Sequence, residues 1–159
     1  MREAKAVSTR LIAAGLALVL LGLCPGCDRR IDVDFNYAIE RGEFELAEEL
    51  LDRGADIDAR FIQSRGYTTL MMVAREDGEP EAIEFLLDHG ADIDLQTFNG
   101  RTALYIAAAR GRTRHVRMLI EAGADVDIRT DEGKTALTAA QENGHRIAER
   151  LIREAGGKR

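Results

Sequence analysis

With 159 residues, 45% hydrophobic and 31% charged, the chain has the size and balance of one globular domain with a sizeable core. Tryptophan is absent and aromatics are only 5%, so the core must be built from Leu, Ile, Val and Ala, which suits packed helices better than a β-sandwich. Residues 1–26 carry Arg2, Lys5 and Arg10 against Glu3, a balance of +2, so the net charge of −6 leaves −8 on the remainder, which argues against a nucleic-acid partner.

The first ten residues are polar and cationic, and residues 11–23, "LIAAGLALVLLGL", contain no charge. Thirteen apolar residues are short for a membrane-spanning helix and match the hydrophobic region of a bacterial secretory signal behind a positive start. A short signal-anchor or a buried helix are the competing readings. Next comes "CPGC", Cys24 to Cys27. Its spacing permits a thiol-redox pair, a motif that normally follows a strand and opens a helix, and no strand precedes it. Thiols without a role are a second reading. In the third, the stretch resembles the lipobox of bacterial lipoproteins, with cleavage before Cys27 and Gly26 as the small preceding residue. Cys24 stands where Leu is usual, and Leu23 is bulky for a cut before Cys24. The resemblance implies a signal peptide over 1–26, a lipidated N-terminus and linker over 27–30, and inner-membrane retention marked by Asp28.

Beyond residue 30 the chain repeats itself. "LLDRGADID" (50–58) returns as "LLDHGADID" (86–94) and "LIEAGADVD" (119–127). Gly54, Gly90, Gly123 and Gly156 are spaced 36, 33 and 33 apart, and each follows a second glycine by twelve residues: Gly42, Gly78, Gly111 and Gly144. Gly66, Gly100 and Gly133 form a third series, each two residues before Thr68, Thr102 or Thr135. A period near 33 residues signals stacked repeats. Within "GRTALYIAAARG" (100–111), Thr102 is a helix N-cap, Leu104, Ala107 and Ala108 share a face, and Gly111 ends the helix. A second helix carries Val116, Leu119 and Ile120 on one face and stops at Gly123. The polar "ADVDIRTDEG" then leads to the next threonine.

These units resemble the ankyrin repeat, on "GYTTLMMVAREDG…LLDHGADID", "GRTALYIAAARG…LIEAGADVD" and "GKTALTAAQENGH…LIREAGG", with "FNYAIERGEFELAEELLDRGADID" as a degenerate first unit. The resemblance implies an all-α solenoid of about four helix-turn-helix repeats with β-hairpin fingers, over 31–58, 59–94, 95–127 and 128–157. Several positions depart from the family pattern: Thr69, Ala103 and Ala136 replace the usual Pro, Asn36, Met71, Tyr105 and Thr138 the usual His, and Asp58, Asp94 and Asp127 the terminal Asn. Unit two holds one extra residue between Leu70 and Gly78, and the finger before it is longer, with Phe61 and Ile62 either packed beneath it, the preferred reading, or exposed for a partner. Glu49 in unit one, and Glu149 and Arg153 in unit four, put polar residues where inner units are apolar, as the ends of a solenoid require.

No catalytic constellation emerges. His89 precedes a helix-ending glycine, where a partly cationic ring suits the helix dipole; His145 fills a structural place, and His115 is expected to be exposed among arginines. None has a metal-ligand neighbour at a suitable spacing, and no phosphate loop or nucleophile elbow is present. The pairs Asp56/Asp58, Asp92/Asp94 and Asp125/Asp127 read better as turn residues bonding their own backbone than as cation ligands. The expectation is therefore a non-enzyme with no cofactor, metal or small-molecule substrate. The resemblance implies a monomer that binds a protein on its concave face. The exposed family positions are Glu40 and Arg41; Arg65, Tyr67, Glu76 and Asp77; Phe98, Asn99, Arg101, Ala109 and Arg110; and Asp131, Glu132, Lys134, Glu142 and Asn143. Phe98 is either an interface anchor or folded back on a neighbouring hairpin. The expected setting is the periplasmic side of the cell envelope, by lipid anchor or in soluble form. An immunity-type toxin inhibitor and a redox protein using Cys24 and Cys27 are the alternatives.

Overall fold

The structure, a computed structural model, describes residues 28–77 and 80–156. The leader 1–26, Cys27 with its expected lipid, and Gly78 lie outside the described residues. The described helices come in pairs: α1 (Asp28–Glu40) with α2 (Phe44–Asp52), α3 (Thr69–Arg75) with α4 (Pro80–Asp88), α5 (Ala103–Arg110) with α6 (Thr113–Glu121), and α7 (Ala136–Glu142) with α8 (Arg146–Glu154). Residues 28–30, expected to be linker, form the first turn of α1. No glycine or proline interrupts the run from Asp28 to Glu40, so nothing delays the helix.

The three threonines cap their helices. The Oγ1 atoms of Thr68, Thr102 and Thr135 accept from the N–H groups of Met71, Tyr105 and Thr138 at 3.4, 3.2 and 3.3 Å. Each relieves one amide that the first turn leaves unpaired. The glycine-alanine step after the second helices closes them in the same way each time. The N–H groups of Ala55, Ala91 and Ala124 reach back to the carbonyls of Leu50, Leu86 and Leu119. That is the Schellman closure, which needs a left-handed residue, supplied at Gly123 with φ +92°.

The helices form two rows. In the inner row α3 packs on α5 and α5 on α7; in the outer row α4 packs on α6 and α6 on α8. Fully buried Ala74, Ala107, Ala108 and Ala140 let the inner helices approach closely. Leu50, Leu86, Leu119 and Ile152, one per unit, are buried between the rows, each worth about 1.5–3 kcal/mol relative to exposure. The polar ends are present in the outer row, where Arg153 pairs with Glu149 at 2.6 Å and Arg53 with Glu49 at 3.8 Å.

The fingers are tight turns rather than β-ladders. Thr97 N–H reaches Arg101 O at 2.9 Å, and Thr130 N–H reaches Lys134 O at 2.9 Å. The strand-like pairing among the described residues is one antiparallel bridge, Phe61 to Tyr67, in the longer first finger. Arms this short hold one residue pair, too few for a ladder. Ile62, expected to pack beneath that finger, instead opens a 3-10 turn (Ile62–Ser64) and stands exposed, while Phe61 is half-buried. The extra residue of unit two is absorbed at Glu76, which leaves α3 with extended ψ 172° where Gly111 leaves α5 in the left-handed region.

His115 corrects an expectation: it is 3% exposed, not solvated. It lies on the side of α6 that meets unit two, lining the same pocket as Asp77 and Pro80. Its arginine neighbours Arg114 and Arg117 point to solvent, so local sequence concealed the face on which it falls.

Candidate protein-binding face

The fingers and inner helices are stitched across units by hydrogen bonds. Phe98 N–H donates to Arg65 O at 3.1 Å, and Asp131 N–H donates to Asn99 O at 3.3 Å. Gln96 Nε2 donates both to Gly100 O at 2.8 Å, within its finger, and to Arg129 O of the next at 3.1 Å. Three successive fingers thus form one connected edge, and Arg65, Phe98, Asn99 and Asp131 come together there.

Phe98 unites the two expectations for it. A Cβ on Gly66 would lie 2.7 Å from its ring, so the ring rests on the previous finger, yet 58% of the residue remains accessible. Its position is thereby fixed before any partner arrives, and a pre-positioned aromatic loses less freedom on binding. Arg101 lies with its guanidinium 5.5 Å from the centre of the Tyr105 ring, a cation–π contact that holds a long side chain in place. Tyr105, which stands where the family has His, is the residue that sequence reasoning missed here.

The other expected residues divide by their partners. Lys134 pairs with Glu142 at 2.8 Å and Glu132 at 3.5 Å, and the hydrogen bond from its ammonium to Glu142 is the main cause that raises its pKa above the usual lysine range. Asn143 turns inward to donate to Ala139 O at 2.8 Å, which makes it a cap more than a contact. Asn99 Oδ1 accepts the Thr97 hydroxyl at 2.7 Å. Glu76 pairs with Arg75 at 2.6 Å. Asp77 sits at the opposite edge from the fingers, ion-paired at 2.8 Å with Arg112, the residue just before α6. Tyr67 is half-buried and Ala109 partly so, whereas Arg110, Glu40 and Arg41 are exposed at the far ends of α5 and α1. Asn36 donates to Glu40 at 3.0 Å.

The acidic connections do more than turn the chain. Asp58, Asp94 and Asp127 N–H groups bond the side chains of Asp56, Asp92 and Asp125 at 2.9–3.0 Å, the expected local turns. In addition, Asp58 accepts from Asp92 N–H at 3.1 Å and Asp94 from Asp125 N–H at 2.9 Å, each one unit further on. Asp32 begins the series by accepting from Asp56 N–H at 2.8 Å. Burial raises the Asp58 pKa; the bond from Asp92 N–H opposes this, and the carboxylates of Asp92 and Asp56 add to it. The histidines also serve the scaffold. His145 Nε2 meets Ala109 O of the preceding unit at 3.2 Å. His89 stacks on Phe85 and bonds its carbonyl at 2.8 Å, in the last turn of α4. Among the described residues no group of three or more His, Cys, Asp or Glu is placed to hold a metal, and no helix is long and apolar enough to cross a membrane.

Two rows of paired helices with a connected finger edge define a repeat solenoid whose exposed inner side is a surface for another macromolecule. Comparison with protein families agrees: the family described as ankyrin repeats (3 copies) matches residues 19–97, 35–130 and 70–158. The chain belongs to the ankyrin-repeat family, and its repeats mark it as a protein–protein interaction module. No curated protein matches the chain.

Proposed function

We propose that this chain is a lipid-anchored adaptor of the bacterial cell envelope, which holds or blocks a protein partner through its fingers and inner helices. The observation that carries the binding site is Phe98: more than half exposed, yet seated on Gly66 in a hydrogen-bonded row of fingers. Aromatic and arginine side chains dominate interface energetics, and Arg101 lies in the same finger. The net charge of −6 favours a basic partner through long-range attraction. The anchored setting rests on the cationic start, the apolar 11–23 and the small residue before Cys27. Two acyl signals hold a protein on a membrane stably where one holds it marginally.

The test is crosslinking pull-down from the envelope with wild type and a Phe98→Ala, Arg101→Ala double variant. Partner affinity falls at least tenfold if the two contribute about 1.4 kcal/mol or more together. Equal recovery of the same partners, with unchanged helical content, places the contact elsewhere.

A further inference from the structure

Resting on that anchored reading, we infer that the open end of unit one docks on the anionic lipid surface to which the chain is tethered, through Arg30, Val33 and Tyr37 of α1, Arg41 just after it and Leu46 of α2. In unit three the positions equivalent to Tyr37 and Leu46 are Ile106 and His115, 4% and 3% exposed because unit two covers them. Tyr37 and Leu46 are 53% and 36% exposed, and Val33, the counterpart of buried Thr102, is 37% exposed. Half of the exposed large hydrophobic residues of the described chain therefore lie on this one end.

Arg30, Val33 and Tyr37 recur at spacings of three and four, so they form one stripe along α1, and Arg41 follows one turn on, just past the helix, where it also borders the groove toward unit two. Among the described residues neither arginine is part of an ion pair. Two cations bracketing a tyrosine and a valine match an interfacial surface: the ring sits at headgroup level, the aliphatic stems lie along the apolar strip, and the guanidinium groups meet anionic headgroups. Residues 28–52 hold nine carboxylates against three arginines, with Asp34 beside the stripe and Glu43, Glu45 and Glu49 on α2 or at its start, so attraction is confined to the strip and the tether must hold the rest of the unit at the surface. The position of the tether selects a bilayer over other occupants. The charge-free segment 11–23 and Cys27 immediately precede Asp28, the first residue of α1. At the helical rise, Val33 lies about 8 Å and Tyr37 about 14 Å from that point. A tether this short keeps the stripe at high effective concentration against the surface, so a weak patch suffices.

The experiment uses the full chain, processed and lipidated, in phosphatidylcholine vesicles containing phosphatidylglycerol. Cleavage removes Cys24 and acylation blocks Cys27, so Val33→Cys, Tyr37→Cys or Ile147→Cys supplies the single free thiol for a fluorophore. Ile147 is 54% exposed on α8, in the last unit. Headgroup-proximal doxyl lipids then quench positions 33 and 37 strongly and position 147 weakly. Replacing Arg30 or Arg41 by Gln lowers the docked-to-free ratio about fivefold each. A mass spectrum without lipid on Cys27 overturns the anchored reading and this inference with it. Lipid present with equal quenching at all three positions overturns the docking alone. So does protection of position 33 that rises with protein density without lipid quenching, which makes a second copy the occupant.

Discussion

Gly111→Ala and Gly144→Ala form a matched pair that separates backbone strain from packing between units. Both glycines follow an inner helix with nearly the same backbone, φ +68° and +73°. A side chain in that region costs about 1–2 kcal/mol. At Gly144 a Cβ would meet nothing within 4 Å, so this is the whole expected effect. At Gly111 the Cβ would lie 2.4 Å from His145 Nδ1 and 2.7 Å from its Cε1. Carbon contacts settle near 3.5–4.0 Å, so the ring must retreat by roughly 1 Å. That movement breaks its 3.2 Å contact with Ala109 O, a further loss of about 0.5–1.5 kcal/mol. Gly111→Ala should therefore cost about 1.5–3.5 kcal/mol, and Gly111→Ala made in a His145→Ala background should fall back to the Gly144→Ala value. Urea unfolding followed by helical ellipticity reads all four variants, with an unchanged m-value confirming that midpoints report stability. Equal costs for Gly111→Ala and Gly144→Ala, or strict additivity with His145→Ala, would refute the claim that His145 locks units three and four together.

Asp58→Asn keeps an oxygen to accept from Asp92 N–H but removes a carboxylate whose folded pKa is raised. Because the folded pKa exceeds the unfolded 3.8, Asp58 favours the fold below that value and loses this contribution as pH rises through the folded pKa. The Asn variant should then melt higher than wild type at neutral pH, and the gap should close on acidification; a gap that widens in acid contradicts the assignment. Thr102→Ala removes the N-cap of α5 and should cost about 0.5–2 kcal/mol in the same urea assay, whereas loss of less than a tenth of that would mean the 3.2 Å bond to Tyr105 N–H is incidental.

What could be read in advance followed from local chemistry repeated in register. Thr102 beside an apolar run, and Gly123 after Leu119, announce caps and stops whatever surrounds them. The inner alanines likewise announced a close-packed face. What could not be read depended on the neighbouring unit. Asp58 shows its own turn in "GADID", but its second bond goes to Asp92, 34 residues away, and exists only once units stack. His115 sits among arginines in sequence and against Pro80 in space. Phe98 had two readings because its ring touches a glycine of the previous finger, a contact that no periodicity encodes. Tyr37 and Leu46 stand in the register of Ile106 and His115, and their exposure follows from the absence of a described unit before α1. Local signals thus gave the helices and their order, while the contacts that bear on binding arise between units.

That dependence on neighbours makes unit one the weakest link. α1 touches α3 at fewer points than α3 touches α5, and a groove of about 530 Å³ lined by Ile39, Phe44, Met72, Val73 and Ala82 lies at the seam. The extended exit at Glu76 borders that groove. The Phe44–Phe85 stack at 5.1 Å and the Asp58–Asp92 bond also cross the junction. In a linear array each unit is stabilised by the interfaces on either side of it; units one and four each have one described interface, and that of unit one is the sparser. Its amides should therefore exchange with solvent sooner than those of α5 and α7. Docking of its open end on lipid supplies the missing second neighbour, so exchange in α1 should slow when the lipidated chain is placed in anionic vesicles, while exchange in α7 stays unchanged. Equal slowing in both helices would mean that the bilayer acts on the array as a whole, and no slowing in α1 would mean that its exposed stripe remains in water.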